Sequence, residues 1–151
     1  MFMTYCKIKM IEENTERLVC RSEMQIKDGK LIEPINDTLD ILNLKPNTGM
    51  EYGFMFYNKI NGEWICQIHF EVKRREFEIS YGTKENYQGK GYMKEALNFF
   101  VHWIFENTSI EKMYALINDN SASKHILEIT GFEYEQCDEC GEWFVITRDN
   151  C

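Results

Sequence analysis

The stretch that most constrains the fold runs from Met50 to Thr83. It opens with an aromatic-rich segment, "MEYGFMFYN", followed by "KINGEW" and then "EWICQIHFEV". In the last of these Trp64, Cys66, Ile68 and Phe70 alternate with Ile65, Gln67, His69 and Glu71. A period of two is that of a strand with one face buried. Asn61-Gly62 between the two segments is the strongest short hairpin signal. "KRRE" then turns the chain into "FEISYGT". The spacing predicts three consecutive antiparallel strands.

After Thr83 the period changes. From about Lys90 to Glu106, Tyr92, Ala96, Phe99, Phe100, Trp103 and Ile104 recur at three- and four-residue spacing, which predicts a helix ended by Asn107 and Thr108. "KMYALIN" reads as a strand. "NDNS" leads into a second helix, Ser121 to Thr130, stopped by Gly131 in the position just past a helix end. "GFEYEQC" and "EWFVITR" form a last hairpin around "DECG". In the first third, Tyr5 to Met10 reads as a short strand. "ERLVCRSEMQI" and "DTLDILNL" read as short helical or irregular segments, divided by the turn "KDGK" and closed by "KPNTG". The order of strands, helix, strand, helix and strands is that of a mixed α/β sheet.

The 151 residues suit one domain, since the only prolines are Pro34 and Pro46 and no Gly/Ser-rich linker or repeat breaks the pattern. A formal charge of −8 argues against a nucleic-acid backbone as the main partner and suits a cationic small molecule or peptide. "MFMTYCKIKMIEEN" lacks the apolar core of a signal peptide. "ALNFFVHWIF" has about half the length of a membrane span and contains Asn98 and His102. No membrane segment is therefore expected, and the expected location is the cytoplasm. The six cysteines are too scattered for a disulfide framework, which fits a reducing compartment.

The loop before the first long helix carries the chemistry. "NYQGKGYMKEAL" puts Gly89 and Gly91 beside Lys90 at the helix start. It lacks the spacing of an ATP-type phosphate loop. It also lacks the third glycine of a dinucleotide fingerprint, because Gly89-x-Gly91 is followed by Lys94. What it does offer is a set of backbone N–H groups, Gly89 through Met93, at the positive end of a helix dipole. A pyrophosphate would satisfy several of them, with Lys90 adding charge at the rim. A plain connecting turn is the other reading of the same glycines.

The run from Glu78, "EISYGTKENYQGKGYMKEAL", resembles the acetyl-CoA-binding segment of the GCN5-related N-acetyltransferases, the GNAT superfamily. That pattern, Gln/Arg-x-x-Gly-x-Gly/Ala, is met by Gln88 and Gly91 and departed from at Met93. The segment is most similar to the ribosomal-protein N-acetyltransferase type, whose sequence runs "EIGY…YQGKGYATEAL". A second block, "NDNSASKHILEITGF", resembles that family's "N-x-x-S…L-E-x-x-GF" helix, with Asn120, Ser123, Gly131 and Phe132 in register. The resemblance implies a single N-acetyltransferase domain over 1–151. Residues 50–147 would be the acetyl-CoA-binding core and 1–48 a variable acceptor-side region. The implied fold is a mixed, mostly antiparallel sheet flanked by helices.

The resemblance also implies roles. The strand before the loop splays from its neighbour, and the pantetheine arm of acetyl-CoA pairs with backbone groups of Ile79, Ser80 and Tyr81, one N–H aimed at the thioester oxygen. Gln88, Gly89, Lys90, Gly91, Tyr92 and Met93 cradle the pyrophosphate, and Asn120 contacts the cofactor. Glu78 stands where several of these enzymes carry a base for the acceptor ammonium; its plainer reading is a surface strand glutamate. The tyrosine that many of them use as acid is replaced here by Leu127. Ser123 is the substitute, or else a first-turn capping residue, and Tyr134 is a further candidate. The acceptor would be a small-molecule amine or a peptide or protein N-terminus, and edge pairing of the last hairpin would allow a homodimer. A module that binds CoA without turnover is the alternative.

Other signals carry less. Cys137-x-x-Cys140 has no second Cys/His pair to complete a zinc site, so no metal is expected and both read as hairpin thiols. His69 and His102 read as packing or surface histidines.

Overall fold

The computed structural model describes residues 11–22, 25–27, 30–32, 52–73, 76–108, 110–118 and 121–150. The strands are β1 (Ile11–Asn14), β2 (Leu18–Ser22), β3 (Gln25–Lys27), β4 (Lys30–Ile32), β5 (Tyr52–Asn58), β6 (Trp64–Lys73) and β7 (Glu76–Thr83). Helix α1 (Tyr92–Asn107), β8 (Lys112–Ile117), α2 (Ser121–Thr130), β9 (Glu133–Asp138) and β10 (Gly141–Thr147) complete the chain. Eight strands form one sheet in the order β1-β2-β5-β6-β7-β8-β10-β9, and β3 and β4 pair separately. Neighbours in the large sheet are antiparallel except β7 and β8, which are parallel. A parallel pair needs a long crossover, and α1 supplies it.

The predicted strand–helix order from Tyr52 onward is observed. The hairpin at Asn61-Gly62 closes over a longer turn than two residues: Asn58 N–H donates to the Glu63 carbonyl at 2.7 Å and Gly62 N–H to the Asn58 carbonyl at 2.8 Å. α1 begins at Tyr92 rather than Lys90, because Gly91 is its N-cap in a left-handed conformation. The first third requires a correction. Within "ERLVCRSEMQI" the described residues Leu18–Ser22 are a strand, β2, and Gln25 and Ile26 begin β3, where helical or irregular structure was expected. Leu18, Cys20 and Ser22 are buried while Val19 and Arg21 are not, but five residues are too few to announce that alternation. Pairing with β5 makes the strand. The segments Tyr5 to Met10 and "DTLDILNL" lie outside the described residues.

The register sorts the sheet's side chains into two faces, since directly opposed residues share one. Phe54, Ile68 and Tyr81 are in line, as are Phe70, Ile79, Ala115 and Phe144. This face packs on α1. Phe54 meets Phe100 edge-on at 5.0 Å and Trp103 at 5.5 Å, and Phe70 stacks on Phe77 at 4.4 Å. The buried α1 residues Met93, Ala96, Leu97, Phe100, Val101 and Ile104 follow the helical period. Each fully buried phenylalanine contributes roughly 2–3 kcal/mol by area removed from water. α2 ends on Gly131 at φ 112°, whose N–H, like that of Phe132, bonds back to the Leu127 carbonyl. The other face carries His69 opposite Ser80, Glu71 and Tyr114 opposite Glu78, and Trp143 opposite Leu116.

Candidate active site

β7 and β8 pair at only two positions, Glu78 with Tyr114 and Ile79 with Ala115. Beyond them β7 runs on as far as Thr83 paired with β6, and β8 runs on through Ile117 paired with β10. The two central strands therefore fork. The fork holds a cleft of about 200 Å³ between Ile79, Ser80 and Tyr81 on one side and Ala115 to Asn118 on the other, with Ser123 of α2 at its wall. Strand edges that part inside a sheet offer backbone N–H and C=O groups to whatever lies between them. Tyr81 crosses from β7 to α2, its hydroxyl donating to the Ser123 backbone carbonyl at 3.1 Å. Burial pushes the Tyr81 phenol up to about 12, only partly opposed by a hydrogen bond from the Ser123 side chain.

The predicted phosphate loop leaves the end of the same strand. A 3-10 turn, Glu85–Tyr87, precedes Gln88 to Gly91 and the first turn of α1. The Gln88 amide donates to the Thr83 carbonyl at 3.0 Å, closing the loop on itself. The Tyr87 hydroxyl donates to the Glu63 carboxylate, and the Tyr87 and Tyr92 rings meet edge-on at 5.6 Å. Lys90 is exposed, with Nζ 5.9 Å from the Tyr87 ring centre. Gly89 and Gly91 have φ of 74° and 80°, conformations that favour glycine. No atom lies within 4 Å of where a Cβ on Gly89 would sit, so the backbone there is open to approach. The N–H groups of Tyr92, Met93 and Lys94 have no acceptor within the helix. Met93 itself is buried, which leaves its backbone as the part that can meet a ligand.

Sequence reasoning missed Arg17. The turn between β1 and β2 docks against the loop, and Arg17 Nε donates to Glu95 Oε1 at 2.7 Å while its backbone N–H donates to Oε2 at 2.8 Å. Arg17 Nη1 donates to the Lys90 carbonyl at 3.0 Å, and its guanidinium lies 4.1 Å from the Tyr92 ring centre. The Thr15 hydroxyl also donates to Glu95. Burial alone would raise the Glu95 carboxyl, but the hydrogen bonds from Thr15 and Arg17 and the guanidinium charge outweigh it and hold it below its ordinary value. The pairing spans 78 positions of sequence, and no local pattern signals it.

Glu78 sits where the fork begins, 8% exposed, so it is not a surface strand glutamate. Ile79, Ser80, Tyr81 and Ser123 come together at the cleft, and Gln88 to Met93 form the loop at the end of β7. Asn120 lies outside the described residues. Leu127 is fully buried in the core. Tyr134 is 54% exposed on β9, which β10 separates from β8, and it does not reach the cleft. Cys137 and Cys140 are free thiols of the last hairpin, and among the described residues no group of three or more His, Cys, Asp or Glu is placed to hold a metal ion. No helix among the described residues is long and apolar enough to cross a membrane.

The family model of the acetyltransferase (GNAT) domain matches residues 14–133. The chain belongs to the GNAT acetyltransferase family. The architecture of the described residues, a mixed and mostly antiparallel sheet with two helices, recurs in solved acetyltransferases. The acetyltransferase from Agrobacterium tumefaciens superposes with a TM-score of 0.66 at 16% identity, over 96% of this chain and 99% of that one. Ribosomal-protein-S5-alanine acetyltransferase from Vibrio fischeri gives 0.63 at 17%, over 93% and 98%. RimJ from Mycobacterium smegmatis, solved with CoA-disulfide, gives 0.57 at 20%, over 67% and 55%. At such identities the likeness speaks for the fold alone. A search of curated protein sequences finds no match. By family this GNAT protein is an acyltransferase.

Proposed function

We propose that this GNAT protein transfers an acetyl group from acetyl-CoA to a primary amine. The observation that carries the reading is the continuity of β7. One strand supplies the open edge of the fork and leads, through the 3-10 turn Glu85–Tyr87, into the glycine loop at the start of α1. A ligand with an extended amide arm and a diphosphate at its far end fits that pairing of sites. Ile79, Ser80 and Tyr81 would hold the arm through their backbone groups. Gln88 to Met93 would hold the diphosphate, largely through N–H groups, with Lys90 at the rim and Asn120 as a further contact.

When bound, acetyl-CoA supplies the activated acetyl group, whose C–S bond breaks as a C–N bond to the acceptor forms. Glu78 takes a proton from the acceptor ammonium, directly or through a water, since an amine with a pKa near 10 is almost fully protonated at neutral pH. A backbone N–H of β7 faces the carbonyl oxygen as it gains charge. Ser123 at the cleft wall would supply a proton to the leaving sulfur, in place of the tyrosine that Leu127 replaces. The acceptor is a protein or peptide N-terminus or a small cationic amine. Structural neighbours named for each kind, ribosomal-protein-S5-alanine acetyltransferase and the spermidine/spermine N-acetyltransferase SpeG of Vibrio cholerae, support that range, as does the charge of −8. A cytoplasmic location and a homodimer through the last hairpin accompany this reading.

Calorimetric titration with acetyl-CoA, beside a Gly91→Glu variant that places bulk and negative charge in the loop, tests it. Micromolar binding by the wild type, lost by about 100-fold or more in the variant, supports the cradle. A wild type that does not bind acetyl-CoA ends the assignment. The buried Leu127 leaves α2 without a phenol, which favours a second reading as a CoA-binding module without turnover. Product formation from any amine in a broad panel excludes that module.

A further inference from the structure

Glu78 belongs to the face of the sheet that α1 does not cover, so an acceptor that gives it a proton has to arrive on that face. Alternate residues of a strand share a side, and along β7 this face carries Glu78, Ser80 and Gly82. Exposure rises along them. Glu78 is 8% exposed, Ser80 is exposed, and nothing lies within 4 Å of where a Cβ on Gly82 would sit. The open way to Glu78 runs over Ser80 and Gly82, a floor of two small residues. Its border on the β6 side is His69, directly opposite Ser80. On its other side His69 is directly opposite Gly53 of β5, and its ring leans that way: Cε1 and Nδ1 each stand 3.2 Å from where a Cβ on Gly53 would be. β6 lies between β5 and β7, so a ring drawn over Gly53 is drawn back from Ser80. Gly53 does not have the positive φ of Gly89 and Gly91. A glycine inside a strand weakens it and marks a close approach, which here is that of the imidazole.

We propose that His69 is a specificity-determining residue for the acceptor: it walls the path over Ser80 and Gly82 to Glu78, and Gly53 sets the width of that path by giving the imidazole room to lean away. The inference rests on the acetyl-transfer reading above and adds to it the side of the sheet from which the acceptor comes. The wall acts on the acceptor alone, because in that reading the arm of acetyl-CoA is held by backbone groups along the edge of the fork. Selection by such a wall is steric. It falls on the bulk that an amine carries next to its nitrogen.

The test fills the space under the ring with Gly53→Val, a residue type that suits a strand, and then removes the ring with His69→Ala in the same chain. Acceptors are primary amines of increasing bulk beside the nitrogen, from n-butylamine to a tripeptide that begins with alanine. For each variant kcat/KM is measured with every amine, beside the acetyl-CoA dissociation constant and the denaturant midpoint. Gly53→Val is expected to lower kcat/KM more steeply the bulkier the amine, by about tenfold for the bulkiest that the wild type turns over. Acetyl-CoA affinity should stay within about twofold. The double variant is expected to recover the bulky amines while its midpoint stays low, since the valine remains in β5. A loss that persists in the double variant would show that the valine acts through the backbone of β5, and an unchanged order of amines in Gly53→Val would overturn the proposal outright. If Gly53→Val does not fold, His69→Trp carries the test: it thickens the wall with β5 untouched and should disfavour the same amines. A wild type that turns over none of them fails at the earlier step and removes the acetyl-transfer reading together with this one.

Discussion

The glycine loop and the fork beside it are adjoining parts of one candidate site, and they are built by opposite means. The loop is made by contacts. Gln88 closes on Thr83, Tyr87 reaches Glu63, and Arg17 joins Lys90 to Glu95, so its shape is held by side chains from the β1–β2 turn, from the β5–β6 turn and from α1. The fork is made by the end of contacts. Two register pairs join β7 to β8, and past them the strands are kept apart by their other neighbours, β6 and β10. A site of the first kind tolerates the loss of one contact by relaxing on the others. A site of the second kind depends on backbone position, and in the proposed reaction the few side chains that touch it carry the chemistry. Changes at the loop should therefore act on cofactor affinity, and changes at the fork on the rate with affinity retained.

The largest effect belongs to the fork. Glu78→Gln keeps the shape of a buried side chain at the first paired position and removes its basicity. Turnover at saturating acceptor is expected to fall by about 100-fold or more at neutral pH, with acetyl-CoA affinity within about twofold. Because the general base is what lets a protonated amine react, the deficit should shrink as pH approaches the acceptor's own pKa. A rate at saturating acceptor that matches wild type from pH 6 to 10 would remove Glu78 from the chemistry. A matched loss of cofactor affinity would erase the division between loop and fork.

These two regions were unequally legible. The loop lies in twelve consecutive residues, and its glycines and the helical period after them are local signals that point to an anion cradle. The strands from Tyr52 to Thr83 announce themselves by alternation, and Gly131 marks the end of α2 as expected. Arg17 gave no such signal, because its partners are more than seventy positions away and β2 has too few residues to display a period. The fork is harder still. Nothing in "FEISYGT" or "KMYALIN" says that two strands pair twice and then part, and the splay was anticipated only through family resemblance. Glu78 shows the same limit. Its place in the strand was readable, but the burial that removes it from the surface comes from the three-dimensional packing.

A smaller effect tests how the fork keeps its width. Tyr81→Phe removes the hydroxyl that ties β7 to the Ser123 carbonyl and leaves the ring in place. Loss of one partly buried neutral hydrogen bond costs about 1 kcal/mol of stability, read as a denaturant midpoint shift. If the tie also sets the spacing of the cleft, kcat falls by about five- to tenfold while acetyl-CoA affinity stays within twofold. The same midpoint shift with an unchanged kcat would leave Tyr81 as a fastening of α2 and nothing more. The phenol remains neutral until about pH 12, so the tie persists throughout the range in which acceptor amines lose their protons, and the wild-type rate should not fall on the alkaline side for this reason.

The smallest effect at neutral pH comes from two thiols that touch neither region. Cys20 and Cys66 are fully buried under α1, and burial pushes both up from an ordinary value of 9.0, Cys66 to about 12. A thiol whose folded pKa exceeds its unfolded pKa stays neutral in the fold while the unfolded chain ionises. Its contribution is therefore complete below about pH 9 and is lost as pH rises toward 12, by roughly 1.4 kcal/mol per pH unit for each such group. Denaturant midpoints at pH 7.5 and 10.5 should diverge in the wild type, and Cys66→Ala should start lower and diverge less. Alkylation of the native protein should consume Cys137 and Cys140 long before either buried thiol. Because β2 and β6 carry these cysteines beneath the loop and beside the fork, labelling of Cys20 or Cys66 without unfolding would mean that the sheet opens there. The rigid backbone spacing on which the fork is said to depend would then be lost with it.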